Sequence, residues 1–342
     1  MKKLIAAALG ILLFIAAGCA APVAVPAPTP VPTPEPIGMK KVFGKDVTIA
    51  CDESADEWFM QGVQAQAEEF GVPVVWVKHG ETAGDGMILS YAKVPVAASI
   101  PVIYHTANDA HSPAIPDGCI GIVYDGAAAP AAALQAMYTY PSHEAPVRVL
   151  GVFAEQDGGA REAYLAMTSD GKLQDKGMFT PSDGSMEVIE ERAAAWLGDA
   201  LSGITPGRLD TVFTDAPELA LCGFDVLKAA KRGDAVEICT VGLLPAHMEA
   251  MIEAHFLMGT AVGENQYGAG RLAVRMLLCA MAGEKIEENY TLTPLCVRSD
   301  EVIALYRAGT TEINDILETL DTETERAYQP DILEELRENH TA

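Results

Sequence analysis

Val212-Phe213-Thr214-Asp215-Ala216-Pro217-Glu218 opens the stretch whose reading decides the fold. The apolar pair Val212-Phe213 belongs to a strand candidate, and residues 219–230 follow it with apolar positions at helical spacing. A second strand candidate covers residues 235–241 and a second helix pattern residues 247–257, followed by residues 260–264. Gly268-Ala269-Gly270 and the amphipathic residues 271–282 carry the pattern on towards Ile286. Strands and helices alternating at this rhythm predict parallel strands joined by crossover helices. Ligands of such open sheets sit beyond the carboxyl ends of the strands, which directs attention to residues 215–218 and 242–247.

The same rhythm extends towards the N-terminus. Residues 46–51 read as a strand and 58–70 as its helix; Gly71 stops that helix, and residues 74–77 make a second strand after Pro73. Strands are expected at 86–91 and 100–104, with the connection 92–99 short for a crossover helix. After 120–124 comes Asp125-Gly126, then an alanine-rich helix pattern up to Met137. Residues 147–153 form a further strand, Gly158-Gly159-Ala160-Arg161 opens a helix, 177–180 a short strand, 186–200 an amphipathic helix, and 290–298 one last extended segment. Two consecutive α/β sheets account for this count better than one.

The chain has 342 residues, 49% hydrophobic and 21% charged, enough for two sizeable cores. It carries 48 acidic against 23 basic side chains, a formal net charge of -25. Nucleic-acid binding through phosphate contacts needs clustered basic groups, so no nucleic-acid partner is expected.

Lys2-Lys3, an apolar run over residues 4–15 and Ala16-Ala17-Gly18-Cys19 read as a secretion signal ending in a lipobox-like site. Cleavage before Cys19 and acylation of its thiol would tether the protein to the outer face of a membrane. Proline then recurs at 22, 26, 28, 30, 32, 34 and 36, the composition of an extended stalk.

Six further cysteines, at 51, 119, 222, 239, 279 and 296, stand mostly in apolar runs without a CxxC spacing and read as buried free thiols. His105, Asp109 and His111 fall within seven residues, but a zinc site wants a fourth ligand and supporting contacts, so no metal or cofactor is expected. There is no Gly-x-Ser-x-Gly elbow, and no catalytic residue is expected.

Residues 46–300 resemble the type 1 periplasmic-binding-protein family, in particular the ribose-like sugar-binding lipoproteins of ABC importers. The residues carrying the likeness are Ile100-Pro101-Val102-Ile103, Asp125-Gly126, Gly159-Ala160-Arg161-Glu162, Glu218 to Gly223, Val241-Gly242, and the run from Glu264 through Gly270 to Gly283-Glu284-Lys285-Ile286. The resemblance implies an α/β protein of two three-layer parallel-sheet lobes joined by a multi-crossing hinge, closing on a solute. It places the crossings near Asp125, Glu264 and residues 291–294. The implied division is a signal at 1–18, lipidated Cys19 and linker at 19–45, first lobe at 46–124 with 265–292, second lobe at 125–264 with 293–300, and a helical tail at 301–342. That tail is expected to pack on, or trail from, the second lobe.

The resemblance also implies ligand-binding positions. Trp58 and Phe59 lie where family members stack aromatic rings on a sugar; Arg161 matches a cleft arginine and Asp125 the aspartate at a crossing. Glu218 stands where the family has Asp, Leu244 where it has a cleft Asp, and Glu264 where it has a cleft Gln. Losing an acceptor at Leu244 argues against ribose itself. The implied function is an extracytoplasmic, lipid-anchored, monomeric solute-binding protein that delivers a sugar or similar polar molecule to an ABC permease without catalysing a reaction. The alternatives are a sensor read by a receptor kinase and a binder of a nucleoside or amine-bearing solute.

Overall fold

The computed structural model describes residues 38–78, 81–91, 99–108, 112, 114–140, 143–232, 236–254 and 257–340. The signal, Cys19, the proline-rich stretch, Asp109 and His111 lie outside the described residues.

Two six-stranded sheets form the body. The first has the order β11-β5-β4-β3-β1-β2, from β1 (Ile49–Asp52), β2 (Val74–Val77), β3 (Gly86–Ser90), β4 (Val102–Ala107), β5 (Ile120–Tyr124) and β11 (Asn289–Leu292), all parallel. The second has the order β12-β10-β9-β8-β6-β7, from β6 (Val147–Val152), β7 (Leu173–Phe179), β8 (Thr211–Thr214), β9 (Glu237–Val241), β10 (Met258–Gly263) and β12 (Leu295–Arg298). Only β12 runs antiparallel, against β10. The central strands β1, β3, β4, β8 and β10 are buried along their whole length, which explains why they read as continuous apolar runs instead of alternating ones.

Residues 290–298, expected as one extended segment, divide between the sheets. β11 closes the first and β12 the second, with Thr293-Pro294 between them. Proline has no N–H to give a ladder, so the break falls where pairing must stop in any case.

The second sheet is a three-layer lobe. Helices α3 (Ala129–Tyr138) and α4 (Gly159–Ser169) cover one face through Leu134, Met137 and Tyr164. On the other face lie α5 (Met186–Gly203), α6 (Pro217–Ala229) and α7 (Pro245–Glu253). The first sheet is covered on one face by α2 (Glu57–Glu69) and α8 (Gln266–Met281). Its other face carries a smaller cluster, Ala50, Met87, Leu89, Val102 and Tyr104, capped by Ile100, Ile115 and Cys119 from the connections. Among the described residues no helix stands between β3 and β5, in keeping with the short connection there.

Two glycines let α2 and α8 cross at backbone contact. A Cβ on Gly62 would overlap the Tyr267 carbonyl, and one on Gly270 the Phe59 carbonyl. Arg275 lies on the same buried helix and is completely inaccessible to solvent. Its Nη1 donates to Gln66 Oε1 at 2.6 Å, Nη2 to the Thr324 carbonyl at 2.6 Å and Nε to the Ala327 carbonyl at 3.1 Å. Burial holds its pKa down at about 10, so at neutral pH this is a charged group held by oxygens.

The C-terminal residues therefore do not trail from the second lobe. α9 (Ser299–Ala308) packs on α7 and β10 of the second lobe, and α10 (Ile313–Leu320) contacts α7 and α8. α11 (Thr322–Arg326) lies on α8, and α12 (Asp331–His340) buries Leu333 and Leu336 in the first lobe's core. α1 (Gly38–Phe43), inside the stretch expected to be linker, packs against α12.

A polar cluster lies far from the strand ends that face the cleft. Glu237 is buried, with Oε1 3.1 Å from His143 Nε2 and 3.3 Å from Thr211 Oγ1. Burial raises its pKa from 4.5 to about 8, so between these values the folded protein holds a proton that the unfolded chain has released. Stability from this group is complete below about pH 4.5 and is lost as pH rises through about 8.

Two predictions follow from packing and burial. Gly270→Ala should cost about 1–3 kcal/mol in urea unfolding, whereas Gly198→Ala, on an open face of α5, should be neutral or stabilising by up to ~1 kcal/mol. Glu237→Gln should flatten the decline in melting temperature between about pH 5 and about pH 8; identical pH slopes in variant and parent would show that Glu237 does not titrate in that range.

Candidate binding cleft

All three strand crossings use the carboxyl ends of the parallel strands. The chain leaves β5 at Asp125 for α3, leaves β10 at Glu264 for α8, and leaves β11 at Leu292 for Leu295, which pairs with Gly263 at the end of β10. Asp125 N–H donates to the Leu292 carbonyl at 2.9 Å, tying two crossings together. The two sheets thus turn their carboxyl edges towards each other across a hinge, the geometry of a ligand cleft.

Glu264 is held by three side chains at this junction. It is buried, and its Oε1 meets Nε2 of the fully buried His105 on β4. Its Oε2 accepts from Gln266 Nε2 at 2.6 Å and from the Tyr91 hydroxyl at 3.2 Å. His105 Nδ1 lies 2.8 Å from Ser90 Oγ, and its ring stacks on Phe59 with centroids 4.8 Å apart and an interplanar angle of 11°. Glu264 joins the end of a second-sheet strand to a first-sheet strand, so the carboxylate holds the lobes in register at the hinge. Tyr124, close by, has its hydroxyl pKa pushed up by burial and by the charges of Glu264 and Asp125.

The aromatic pair expected beside a solute is drawn inward. Asp56 caps α2, its Oδ1 accepting from Trp58 N–H at 2.8 Å and Phe59 N–H at 3.3 Å. That cap turns both rings into the protein: Phe59 is completely buried and Trp58 is 5% exposed. The Trp58 indole donates to Asn314 Oδ1 on α10 at 2.8 Å.

The second lobe offers freer groups. Arg161, in the first turn of α4, donates from Nη1 to the Gln156 carbonyl at 2.9 Å and lies 4.0 Å from Asp157; its Nε is buried without an acceptor among the described residues. Asp215, at the end of β8, accepts from Ala154 N–H at 2.6 Å, and burial raises its pKa to about 6. Glu218 is exposed in the first turn of α6, and Leu244 is half-buried at the start of α7. His247 fixes these two loops to each other: Nδ1 accepts from Leu244 N–H at 3.3 Å and Nε2 donates to the Pro217 carbonyl at 3.0 Å. Burial lowers its pKa, consistent with the neutral ring this bonding requires. The Pro217 ring leaves no room for a Cβ at position 242, where Gly242 adopts φ of 93°.

Of the residues singled out from sequence, Trp58, Phe59 and Glu264 converge on the hinge. Arg161, Glu218 and Leu244 stand at the starts of second-lobe helices that follow carboxyl strand ends, and Asp125 stands at the crossing between the sheets. Asp215 lay within the stretch first selected, and its position immediately after an apolar strand was the signal for it. The ring nitrogens of His105 face Ser90 and Glu264. No group of three or more potential metal-ligating side chains is present among the described residues.

No family model matches the chain, and no curated protein matches its sequence. Solved structures do match. The chain is similar to a sugar ABC transporter from Yersinia enterocolitica, at 14% identity over 91% of this chain and 99% of that one, with a TM-score of 0.57. A 5-methylthioribose transporter solute-binding protein from Thermotoga lettingae, in complex with 5-methylthioribose, matches at 17% identity over 88% and 99%, with a TM-score of 0.58. An ABC transporter solute-binding protein from Agrobacterium vitis with bound allitol matches at 15% identity over 77% and 98%, with a TM-score of 0.51. The chain has the two-lobed α/β fold of these solute-binding proteins, the fold its sequence resemblance implied.

Proposed function

We propose that the protein is an extracytoplasmic solute-binding lipoprotein that captures a sugar or similar polar small molecule between its lobes and presents it to an ABC permease. The observation that carries this reading is the meeting of two sheets at their carboxyl edges across three crossings. Two lobes joined in this way open and close about the hinge on what lies between them. Two proteins of the same fold hold a sugar derivative, 5-methylthioribose, and a polyol, allitol, which supports a polar solute here. The lipobox-like Ala16-Ala17-Gly18-Cys19 and the proline-rich stalk support attachment to the outer face of a membrane, where a permease partner would be met.

Recognition falls mainly to the second lobe. Arg161 has a buried Nε without an acceptor among the described residues, and a guanidinium of this kind suits two neighbouring hydroxyls or a carboxylate. Asp215, Glu218 and Asp125 supply acceptors for hydroxyl or amine donors, while half-buried Leu244 offers an apolar wall. Trp58, Phe59 and Glu264 act one step back, fixing the hinge and the first-lobe rim. The solute touches both lobes only when they are together, so binding shifts the population towards the closed form. No reaction enters this account; the groups at the cleft hold and orient.

A thermal-shift screen of sugars, polyols, nucleosides and amines should find a sugar or polyol that raises the melting temperature, because a ligand bound only by the native state must stabilise it. If an amine or nucleoside alone did so, the sugar assignment would fail. With that ligand, Arg161→Ala should weaken binding at least about tenfold by calorimetry, the effect of losing a charge-assisted contact. Unchanged affinity would remove Arg161 from the site.

A further inference from the structure

Residues 309–340 return from the second lobe to the first by a path that none of the three strand crossings uses. Gly309, at φ of 109°, ends α9 on the second lobe in a conformation that favours glycine. α10 then lies against α7 of the second lobe and α8 of the first. Its Ile316 and Leu317 are completely buried, in one apolar cluster with Met248 and Met251 of α7, Tyr267 of α8 and Trp58 of α2. Apolar contact therefore runs unbroken from one lobe to the other through α10.

Polar contacts fix the register of this helix. Asn314 accepts from the Trp58 indole at 2.8 Å; Glu318 accepts from the Tyr267 hydroxyl at 3.2 Å and pairs with Arg271 Nη1 at 3.2 Å. Immediately afterwards, Asp321 Oδ2 accepts from Asn265 Nδ2 at 2.8 Å. Asn265 follows Glu264 at the crossing itself, and its Oδ1 caps α8 by accepting from Gly268 N–H at 3.0 Å. Beyond Asp321 the segment is anchored on the first lobe by Arg275, which holds the Thr324 and Ala327 carbonyls.

We propose that residues 309–340 form a hinge strap that sets the resting separation of the lobes. Widening the cleft requires α10 to part either from α7 or from Trp58 and Tyr267, which exposes Ile316 and Leu317 to water. The bond between Asn265 and Asp321 links the strap to the crossing that must bend. The strap thus opposes wide opening in the solute-free protein and keeps the lobes near the arrangement seen here. The inference rests on reading the lobes as mobile, but not on which solute they take.

Small-angle scattering of the full-length protein without solute tests it. Asn314→Ala, and separately Ile316→Ala combined with Leu317→Ala, should raise the radius of gyration and broaden the distance distribution. Circular dichroism and the denaturant slope should stay at parental values, showing that the lobes remain folded. Folded variants with the parental radius would overturn the strap. Hydrogen exchange of the unaltered protein gives a test that no variant's misfolding can obscure: α10 amides should be protected to the degree of α8. Exchange of α10 about a hundredfold faster than α8 would mean that it detaches on its own and restrains nothing. Because no solute is added, a screen that finds no ligand leaves both outcomes readable.

Discussion

The crossing of α2 over α8 is the contact on which the rest of the molecule depends. Gly62 and Gly270 bring the two helix backbones together, and no side chain larger than hydrogen fits at either position without displacement. That approach puts Gln66 within reach of Arg275, whose guanidinium binds the carbonyls of the C-terminal turn. A buried charge of this kind is tolerated only when its donors are satisfied, so the helix pair and the C-terminal segment stabilise one another. The same crossing sets where α2 begins, and with it the placement of Trp58 and Phe59 at the hinge.

The junction between the lobes shows how the chemistry of one side chain sets its role. A glutamine at position 264 could donate to and accept from a solute; the carboxylate of Glu264 only accepts, and it is already met by His105, Tyr91 and Gln266. Trp58 and Phe59 are likewise occupied, one by Asn314 and the other by the His105 ring. The proposed function therefore gives solute recognition to Arg161, Asp215 and Glu218 on the second lobe. In that proposal the acidic groups beside half-buried Arg161 favour a neutral, hydroxyl-rich solute over an anion.

Local sequence made much of the fold legible. Val74 to Val77 stands between Pro73 and a turn, and the alternation after Val212 is that of a buried parallel sheet, so strands and helices could be placed from neighbours alone. The extended run 290–298 was harder, because its strand character continues through Thr293-Pro294 while its partners lie in two different sheets. Residues 301–342 were legible as helical, but the seat of α10 depends on Trp58 and Asn265, far earlier in the chain. The cleft was legible as a place and less so as a set of contacts. Whether Trp58 faces a solute or an asparagine 256 residues away is decided by packing, which no local spacing encodes.

The central claim is that a solute is held where the two carboxyl sheet edges face each other. A crystal structure of the protein with the most stabilising solute measures this directly. The account predicts that solute between the lobes, in contact with Arg161 and with at least one first-lobe group at a carboxyl strand end. Density for the same solute on an outer face, such as the hollow lined by Thr205, Pro206 and Arg232, with the cleft empty, would contradict it.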